Sequence, residues 1–567
     1  MHYLVLATDY DGTIAHDGVV DDDTIAALER LRASARRLIL VTGRELDDLI
    51  RVMPRLDVFD LVVAENGALL YDPANREEHT LGAPPPPRFV ERLRELGVDP
   101  LSVGRVIVAS WEPNEDKVLR AIRDCELELQ ITFNKGAVMV LPAGVTKASG
   151  LNAALQLLGL SPLNCVGVGD AENDLAFLDL CGFPVAVANA LDSVKERVTL
   201  VTEGVRGAGV AELIARLLAT DLAEFDEQAA RGRVPIAEDE AGEPVLYAPQ
   251  RSSVLVTGQS GAGKSTLTLG LLQRAAAAGF QWCVLDPEGD YEGTEGAVAE
   301  GTQENAPDPE QILDLLRKTD QGVIANMLAI PIADRSAFLA RVLPELLALR
   351  AQIGRPHIIV VDEAHHMLPR DWDPGGAVIA KELEGFLFIT VHPDRVSTRL
   401  LDCVDRLLVV GREAHKAVQA FCDARGINAP GEVPEAGPDE LIMLDPGQGP
   451  ARKLRLIPPE GERRRHRRKY AQGRLGDDTS FYFRGQDERL NLRAHNLTMF
   501  VEVGDGVDEA TWEWHRGRGD YSRWLRDCVK DEQLADEVAE VEQNGADPAE
   551  ARRQVREAVE RRYTAPG

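Results

Sequence analysis

The sequence lacks paired cysteine motifs. Its seven cysteines, at 125, 165, 181, 283, 403, 422 and 528, form no Cys-x-x-Cys pair and are odd in number. That argues against a zinc site and a disulfide framework, and they read as reduced core residues. No window holds the eighteen apolar residues a membrane span needs, and Met1-His2-Tyr3-Leu4 is not a basic stretch ahead of a long apolar one. The expectation is a cytoplasmic chain with no membrane partner. Positive charge is in deficit, with 63 Lys and Arg against 93 Asp and Glu and a formal net charge of -30. Most of the surface therefore repels polyanions, and any nucleic-acid contact has to be local. No internal repeat with the period of a solenoid or propeller is visible.

What is present is chemistry at the ends of strands. With 567 residues, 44% of them hydrophobic, the chain exceeds one core, and one domain per roughly 150 residues gives three or four. The apolar run Tyr3 to Ala7 leads into Thr8-Asp9-Tyr10-Asp11-Gly12-Thr13. In an extended chain residues i and i+2 point the same way, so Asp9 and Asp11 face one ligand while Gly12 lets the backbone bend. One carboxylate can attack phosphorus and the other can carry the proton. Further β-rich runs at Leu38 to Thr42, Leu61 to Ala64, Cys165 to Gly169 and Pro184 to Ala188 alternate with helical stretches such as Asp23 to Ala33. That alternation predicts a doubly wound parallel sheet. Pro84-Pro85-Pro86-Pro87 cannot be helix or central strand and interrupts it. The expected layout is a core of residues 1–83 and 146–220 with an inserted α+β cap at 84–145.

A phosphate site on that sheet needs a hydroxyl, a cation and further carboxylates at strand ends. Thr42 of Leu40-Val41-Thr42-Gly43-Arg44, Lys147 at the start of a helix, and Asp170 and Asp174 of Gly169-Asp170-Ala171-Glu172-Asn173-Asp174 supply them. Hard oxygen ligands of this kind suit Mg²⁺. With four separated motifs in order, residues 1 to 215 resemble the haloacid dehalogenase-like (HAD) phosphatases, most closely the Cof-type class IIB with its cap between the second and third motifs. The resemblance implies a HAD Rossmann-like sheet with Asp9 as nucleophile and aspartyl-phosphate carrier and Asp11 as general acid and then base. It also implies Thr42 and Lys147 on the transferring phosphoryl group, and Mg²⁺ held by Asp9, the Asp11 backbone carbonyl and Asp170, supported by Asp174. A small cap closing over the site favours a compact phosphomonoester as substrate. Arg44 reads equally as a substrate contact and as a structural salt-bridge partner, and stays outside the expected catalytic set.

The acidic stretch 221–250 reads as a helical or loose linker. A second βαβ series follows, with strands at Ser253 to Thr257, Trp282 to Asp286, Gly322 to Asn326, Ile358 to Asp362, Phe386 to Val391 and Arg406 to Val410. It predicts a second α/β domain at 251–457. The first of these strands enters Gly258-Gln259-Ser260-Gly261-Ala262-Gly263-Lys264-Ser265-Thr266, which is Walker A in its required strand-loop-helix context. Gly258, Gly261 and Gly263 let N–H groups converge on phosphates, Lys264 reaches the β and γ phosphates, and Ser265, with Thr266 beside it, offers a Mg²⁺ position. ATP is the expected cofactor. The apolar strand before Asp362-Glu363 closes in two carboxylates, Asp362 to hold Mg²⁺ through water and Glu363 to polarise the attacking water. This domain resembles the HerA/FtsK-type P-loop ATPases over about 250 to 457, including Leu285-Asp286-Pro287-Glu288-Gly289-Asp290-Tyr291. Members of that group often form hexameric rings that move DNA or protein, so the resemblance implies ATP hydrolysis and a homo-oligomer through this domain. His392 stands where such motors carry a polar sensor, and Arg335, Arg341, Arg350 and Arg399 are all open as an arginine finger.

Residues 458–475 form a basic joint around Arg463-Arg464-Arg465-His466-Arg467-Arg468-Lys469-Tyr470. The run either grips phosphates of nucleic acid or a nucleotide, or is a solvated helix face docking on this acidic protein. Residues 476–567 predict a small, mostly helical domain whose interleaved aromatics and arginines either stack bases or form a core. His495 and His515 lack metal-ligand spacing and read as structural. The expected function is a Mg²⁺-dependent phosphatase for a small phosphorylated substrate, fused to an ATP-binding and ATP-hydrolysing domain. The alternative is an ATP-driven nucleic-acid translocase in which the HAD part processes ends or serves as scaffold.

Overall fold

The computed structural model describes residues 1–134, 136–226, 228–371, 383–460, 480–486, 489–529 and 531–563. They form two compact units, residues 1–265 with 271–456, and residues 457–567 with 266–270. The chain of the first unit begins with β1 (Val5–Thr8), β2 (Arg37–Val41), β3 (Leu61–Ala64), β4 (Leu69–Asp72) and β5 (Glu77–Thr80). The cap follows with β6 (Ser102–Val103), β7 (Val108–Trp111), β8 (Leu129–Asn134) and β9 (Ala137–Pro142), and the chain returns through β10 (Cys165–Gly169), β11 (Phe183–Ala186) and β12 (Leu200–Val201). The core sheet has the order β12-β11-β10-β1-β2-β3-β4-β5. It is parallel from β12 to β3, and β4 and β5 add an antiparallel edge. All four β1 side chains are buried, as expected of a strand covered by helices on both faces.

The cap is an antiparallel sheet in the order β6-β7-β9-β8, with the helices Pro87–Glu95 and Glu115–Asp124 packed on Val108, Val138 and Val140. The proline run is not wholly outside regular structure, since Pro87 is the first residue of a helix, where its missing N–H costs nothing. Core and cap are tied by Glu65, fully buried just after β3. Its carboxylate accepts N–H bonds from Arg105, Val106 and Ile107 at 2.8 to 3.0 Å.

The segment 221–250 corrects the expectation of a helical or loose linker. It holds β13 (Val234–Glu238) and β14 (Pro244–Tyr247), an antiparallel hairpin closed by the Asp239 carboxylate on the N–H groups of Ala241 and Glu243. The acidic composition hid a short period-2 pattern in which Val234 and Ile236 turn inward. The rest of this sheet is β15 (Val254–Thr257), β16 (Trp282–Asp286), β17 (Ala297–Glu300), β18 (Gly322–Asn326), β19 (Ile358–Val361), β20 (Phe386–Thr390), β21 (Arg406–Val410), β22 (Glu440–Leu444) and β23 (Arg452–Leu456). The order is β14-β13-β23-β22-β21-β15-β20-β19-β16-β18-β17. Thus β20 lies between the glycine-loop strand β15 and the acidic strand β19.

The two α/β halves meet at the amino-terminal ends of their strands. Arg355, just ahead of β19, donates from Nη2 to Gly159 O (3.2 Å), and Arg251, ahead of β15, donates to Asp221 O (2.6 Å). His357 is buried in this joint, with Nδ1 accepting from the Gln281 N–H (2.8 Å). Burial, then Arg355 and Arg350, push its pKa down to about 3. An unfolded histidine takes a proton below about 6.5, so this depressed group stabilises the fold above that pH and loses its contribution as pH falls from 6.5 toward 3. The loss is about 5 kcal/mol at most. His357→Asn, whose amide oxygen can replace Nδ1 as acceptor, should flatten the fall of Tm between pH 6.5 and 4. An identical Tm–pH profile in the variant would remove His357 from that role.

The second unit holds β24 (Phe481–Phe483) and β25 (Leu492–Ala494) with helices including Leu497–Gly506, Glu509–Arg516, Glu532–Gln543 and Pro548–Tyr563. Its aromatics are spent on the core, since Phe481, Phe483, Phe500, Trp512, Tyr521 and Trp524 pack together. Base stacking by these residues is therefore excluded. His515 is buried between the Arg484 N–H (3.0 Å) and Asp520 (2.9 Å). The basic run Arg463 to Lys469 lies outside the described residues. Among the described residues no helix is long and apolar enough to cross a membrane.

Candidate functional site

From the middle of the first sheet the chain runs outward in both directions, with β2 and β3 on one side of β1 and β10 and β11 on the other. Such a switch point leaves a crevice at the carboxyl ends of the strands. Asp9, Thr42 and Asp170 each follow directly after β1, β2 and β10, and the registers Thr8↔Leu40 and Thr8↔Val168 bring them to one edge. One oxygen from each of Asp9, Asp170 and Asp174 lies within 4.8 Å of the others. Three hard oxygen donors converging on one point are the donor set that suits Mg²⁺.

Lys147 completes the cluster. Its Nζ lies 2.6 Å from both Asp9 Oδ1 and Asp174 Oδ1, and all three side chains are buried. It opens the helix Lys147–Leu158, capped reciprocally by Thr146 and Ser149. That helix can approach the sheet because Gly67 has no side chain: at φ +103 a Cβ there would come within 1.9 Å of Thr146 O. Gly12 does the same for Asp170, whose Oδ2 would lie 2.3 Å from an added Cβ. Asp174 Oδ2 accepts from the N–H groups of Asp170 and Ala171 (2.9 and 3.0 Å), so Asp174 shapes the loop that presents Asp170. Burial, then the Asp174 charge, push Asp9 up to about 7, while Asp174 and Asp9 hold Lys147 charged despite its burial. A divalent cation would favour the Asp9 carboxylate.

Asp11 is less enclosed, with a side chain 45% exposed. Arg44 grips it through Nε and Nη2, both at 2.7 Å. The third arm of Arg44, Nη1, donates to Asp48 (2.6 Å). The buried Thr42 accepts the Arg44 N–H on its Oγ1 (3.2 Å). The cap leans on this edge, for Met139 Sδ would lie 3.7 Å from a Cβ at Gly43.

In the second sheet, β15 passes through Gly258, Gly261 and Gly263 into the helix Lys264–Ala277, with Gly263 as its N-cap and Ser265 and Thr266 in its first turn. Lys264 Nζ donates to Gly258 O (3.1 Å) and Gln259 O (3.0 Å), bridging the glycine loop. Ser265 Oγ donates to Asp290 (3.0 Å), itself positioned by a loop whose N–H groups of Glu288, Asp290 and Tyr291 point to Asp286. Burial, then Asp286, raise the Asp362 carboxyl well above its usual range, and burial, then Glu288, raise Glu363. His365 Nδ1 lies 3.3 Å from Glu363 and 3.1 Å from Thr390 Oγ1. Burial, then His366, lower His365 to about 4.

Residues 6–91 and 105–214 match the family of haloacid dehalogenase-like hydrolases, and residues 248–389 match an AAA domain. A phosphoglycolate phosphatase of Methanothermobacter thermautotrophicus is 30% identical over 222 residues, 38% of this chain and 98% of that protein. The chain belongs to the haloacid dehalogenase-like hydrolases. A second phosphoglycolate phosphatase, from Haloarcula marismortui, is 31% identical to this hydrolase over 220 residues, 37% of the chain and 95% of the relative. A haloacid dehalogenase-like hydrolase of Bacteroides thetaiotaomicron, solved by crystallography, is 19% identical over 38% of this chain and 99% of its own, with a TM-score of 0.34. By family the protein is a phosphoric monoester hydrolase that also carries an AAA domain.

The fold of this hydrolase gathers Asp9, Thr42, Lys147, Asp170 and Asp174 at one sheet edge and Lys264, Ser265, Asp362 and Glu363 at another. Asp11 reaches the first edge, but its side chain is taken by Arg44, which the sequence left undecided. Asp290 and Asp286 were not singled out as site residues, although the Asp-x-x-x-Asp spacing after a strand was a signal for a carboxylate-capped turn. At the end of β20 the buried polar side chain is Thr390, whose Oγ1 accepts the His392 N–H (3.0 Å); this is the group between the loop and Glu363. Of the four candidate arginine fingers, Arg335 donates to Ile330 O and Pro287 O and Arg350 to Pro356 O and Glu384 O. Arg335 is buried and Arg350 half-buried, and both serve their own domain.

Proposed function

We propose that the first domain is a Mg²⁺-dependent phosphatase that cleaves a small phosphomonoester through a phosphorylated Asp9. The observation that carries this reading is the meeting of Asp9, Asp170 and Asp174 oxygens within 4.8 Å beside the Lys147 ammonium. Asp9 attacks phosphorus and the ester oxygen leaves, taking a proton from Asp11. Asp11 then draws a proton from water, whose oxygen attacks the phosphoryl group and frees Asp9 with inorganic phosphate. Lys147 and the Thr42 hydroxyl bind the phosphoryl oxygens. Asp9, the Asp11 carbonyl and Asp170 would hold Mg²⁺, with Asp174 orienting Asp170; the ion supplies positive charge against the phosphoryl oxygens. The relatives' activity points to a phosphorylated two-carbon acid as substrate. Chelation with EDTA should abolish phosphate release from 2-phosphoglycolate and added Mg²⁺ should restore it; full turnover in chelator would sink the reading.

The second domain reads as an ATP-binding and ATP-hydrolysing module of the HerA/FtsK type, supported by the glycine loop on a helix N-terminus and by Asp362 and Glu363 after β19. Asp290 on Ser265 supports a metal position there. The translocase alternative loses most of its support, because Phe481, Phe483, Tyr521 and Trp524, offered for base stacking, are core.

A further inference from the structure

We infer that Arg44 is the residue through which the phosphatase site reads a carboxylate on the leaving group of its substrate. The inference rests on the proposed phosphatase reading and adds the substrate feature and the side chain that selects it.

The Arg44 guanidinium divides its donors between two carboxylates. Nε and Nη2 form the edge that matches a carboxylate in parallel, and here that edge is spent on both oxygens of Asp11. Nη1 is anchored separately on Asp48 (2.6 Å), and the guanidinium lies over the Tyr10 ring (5.3 Å). To reach the oxygen of a departing alcohol, Asp11 has to surrender at least one of its two bonds to Arg44. The guanidinium does not follow it, because Asp48 and Tyr10 keep Arg44 at the mouth. The donors that Asp11 gives up are then exposed next to the leaving group. A leaving group bearing a carboxylate replaces one carboxylate by another on the same edge, so the exchange leaves no donor unmade. A neutral alcohol cannot offer that match. Arg105, the cation of the cap hinge, is occupied elsewhere on Asp47 and Glu78. Arg44 is thus a specificity residue that touches substrate, and Asp48 is the positioning residue that holds it in place.

The test compares 2-phosphoglycolate with 2-hydroxyethyl phosphate, which has the same carbon skeleton and no carboxylate. In the full chain, kcat/KM should favour 2-phosphoglycolate at least about tenfold, and Arg44→Gln should bring the ratio close to one. Arg44→Lys, which keeps the charge without the fork, should recover only part of it. Glycolate should inhibit hydrolysis of p-nitrophenyl phosphate by the wild type and ethylene glycol should not. A wild type without preference, equal effects of glycolate and ethylene glycol, or an Arg44→Gln protein that keeps the ratio while both rates fall would each overturn the inference. In all three cases the phosphatase reading stands if Asp9→Asn is inactive on both esters; activity in Asp9→Asn removes both.

Discussion

Asp9→Asn should lower phosphate release from every monoester by at least about 10⁴-fold, as loss of a covalent nucleophile does. The substitution keeps the shape of the side chain. Its amide oxygen can still accept from Lys147, its amide nitrogen can face the Thr13 hydroxyl that now donates to Asp9 Oδ2 (3.3 Å), and Lys147 retains Asp174. Folding is therefore preserved while the attacking oxyanion is gone. ATP turnover should be unchanged, since Asp9 belongs to the other sheet. Phosphate release measured over a panel of phosphorylated metabolites decides the matter, and retained hydrolysis in the variant takes Asp9 out of the chemistry.

Lys264→Ala should produce the mirror result. Its ammonium spans the glycine loop, donating to Gly258 O and Gln259 O, and under the proposed reading it would reach the β and γ phosphates. Removing a preorganised donor of this kind costs roughly 10² to 10³ in rate, so ATP hydrolysis should fall by that factor with Mg²⁺ and ATP in excess. Monoester hydrolysis should remain at the wild-type level. Loss of both activities in Lys264→Ala would mean that the domains are coupled, and retention of ATP hydrolysis would dismiss the glycine loop as the nucleotide site.

What could be read from the sequence was whatever chemistry is local. Asp9 with Asp11, the glycine loop with Lys264 and Ser265, and Asp362 with Glu363 each sit at the end of an apolar run, and a strand end fixes where a side chain points. Contacts that span the chain were out of reach. The Arg44 grip on Asp11 joins residues 33 apart, and nothing in either motif distinguishes a site cation from a surface ion pair. Asp290 meets Ser265 only because Asp286 folds the intervening loop by accepting its N–H groups. The hairpin at 234–247 was hidden by the acidic residues around it, although Glu238 is there to meet Arg455 across the sheet edge. The aromatics of the second unit fitted a stacking surface and a core equally well in sequence, because composition says nothing about which way a ring faces.

The joint at Arg355 and Gly159 has a consequence for traffic. Because Arg355 and Arg251 tie the two halves through residues that precede their strands, the site residues that follow the strands stand at the ends away from this joint in each sheet. Under the proposed reading, an ester bound for Asp9 and a nucleotide bound for the glycine loop would each enter at the end of its own sheet.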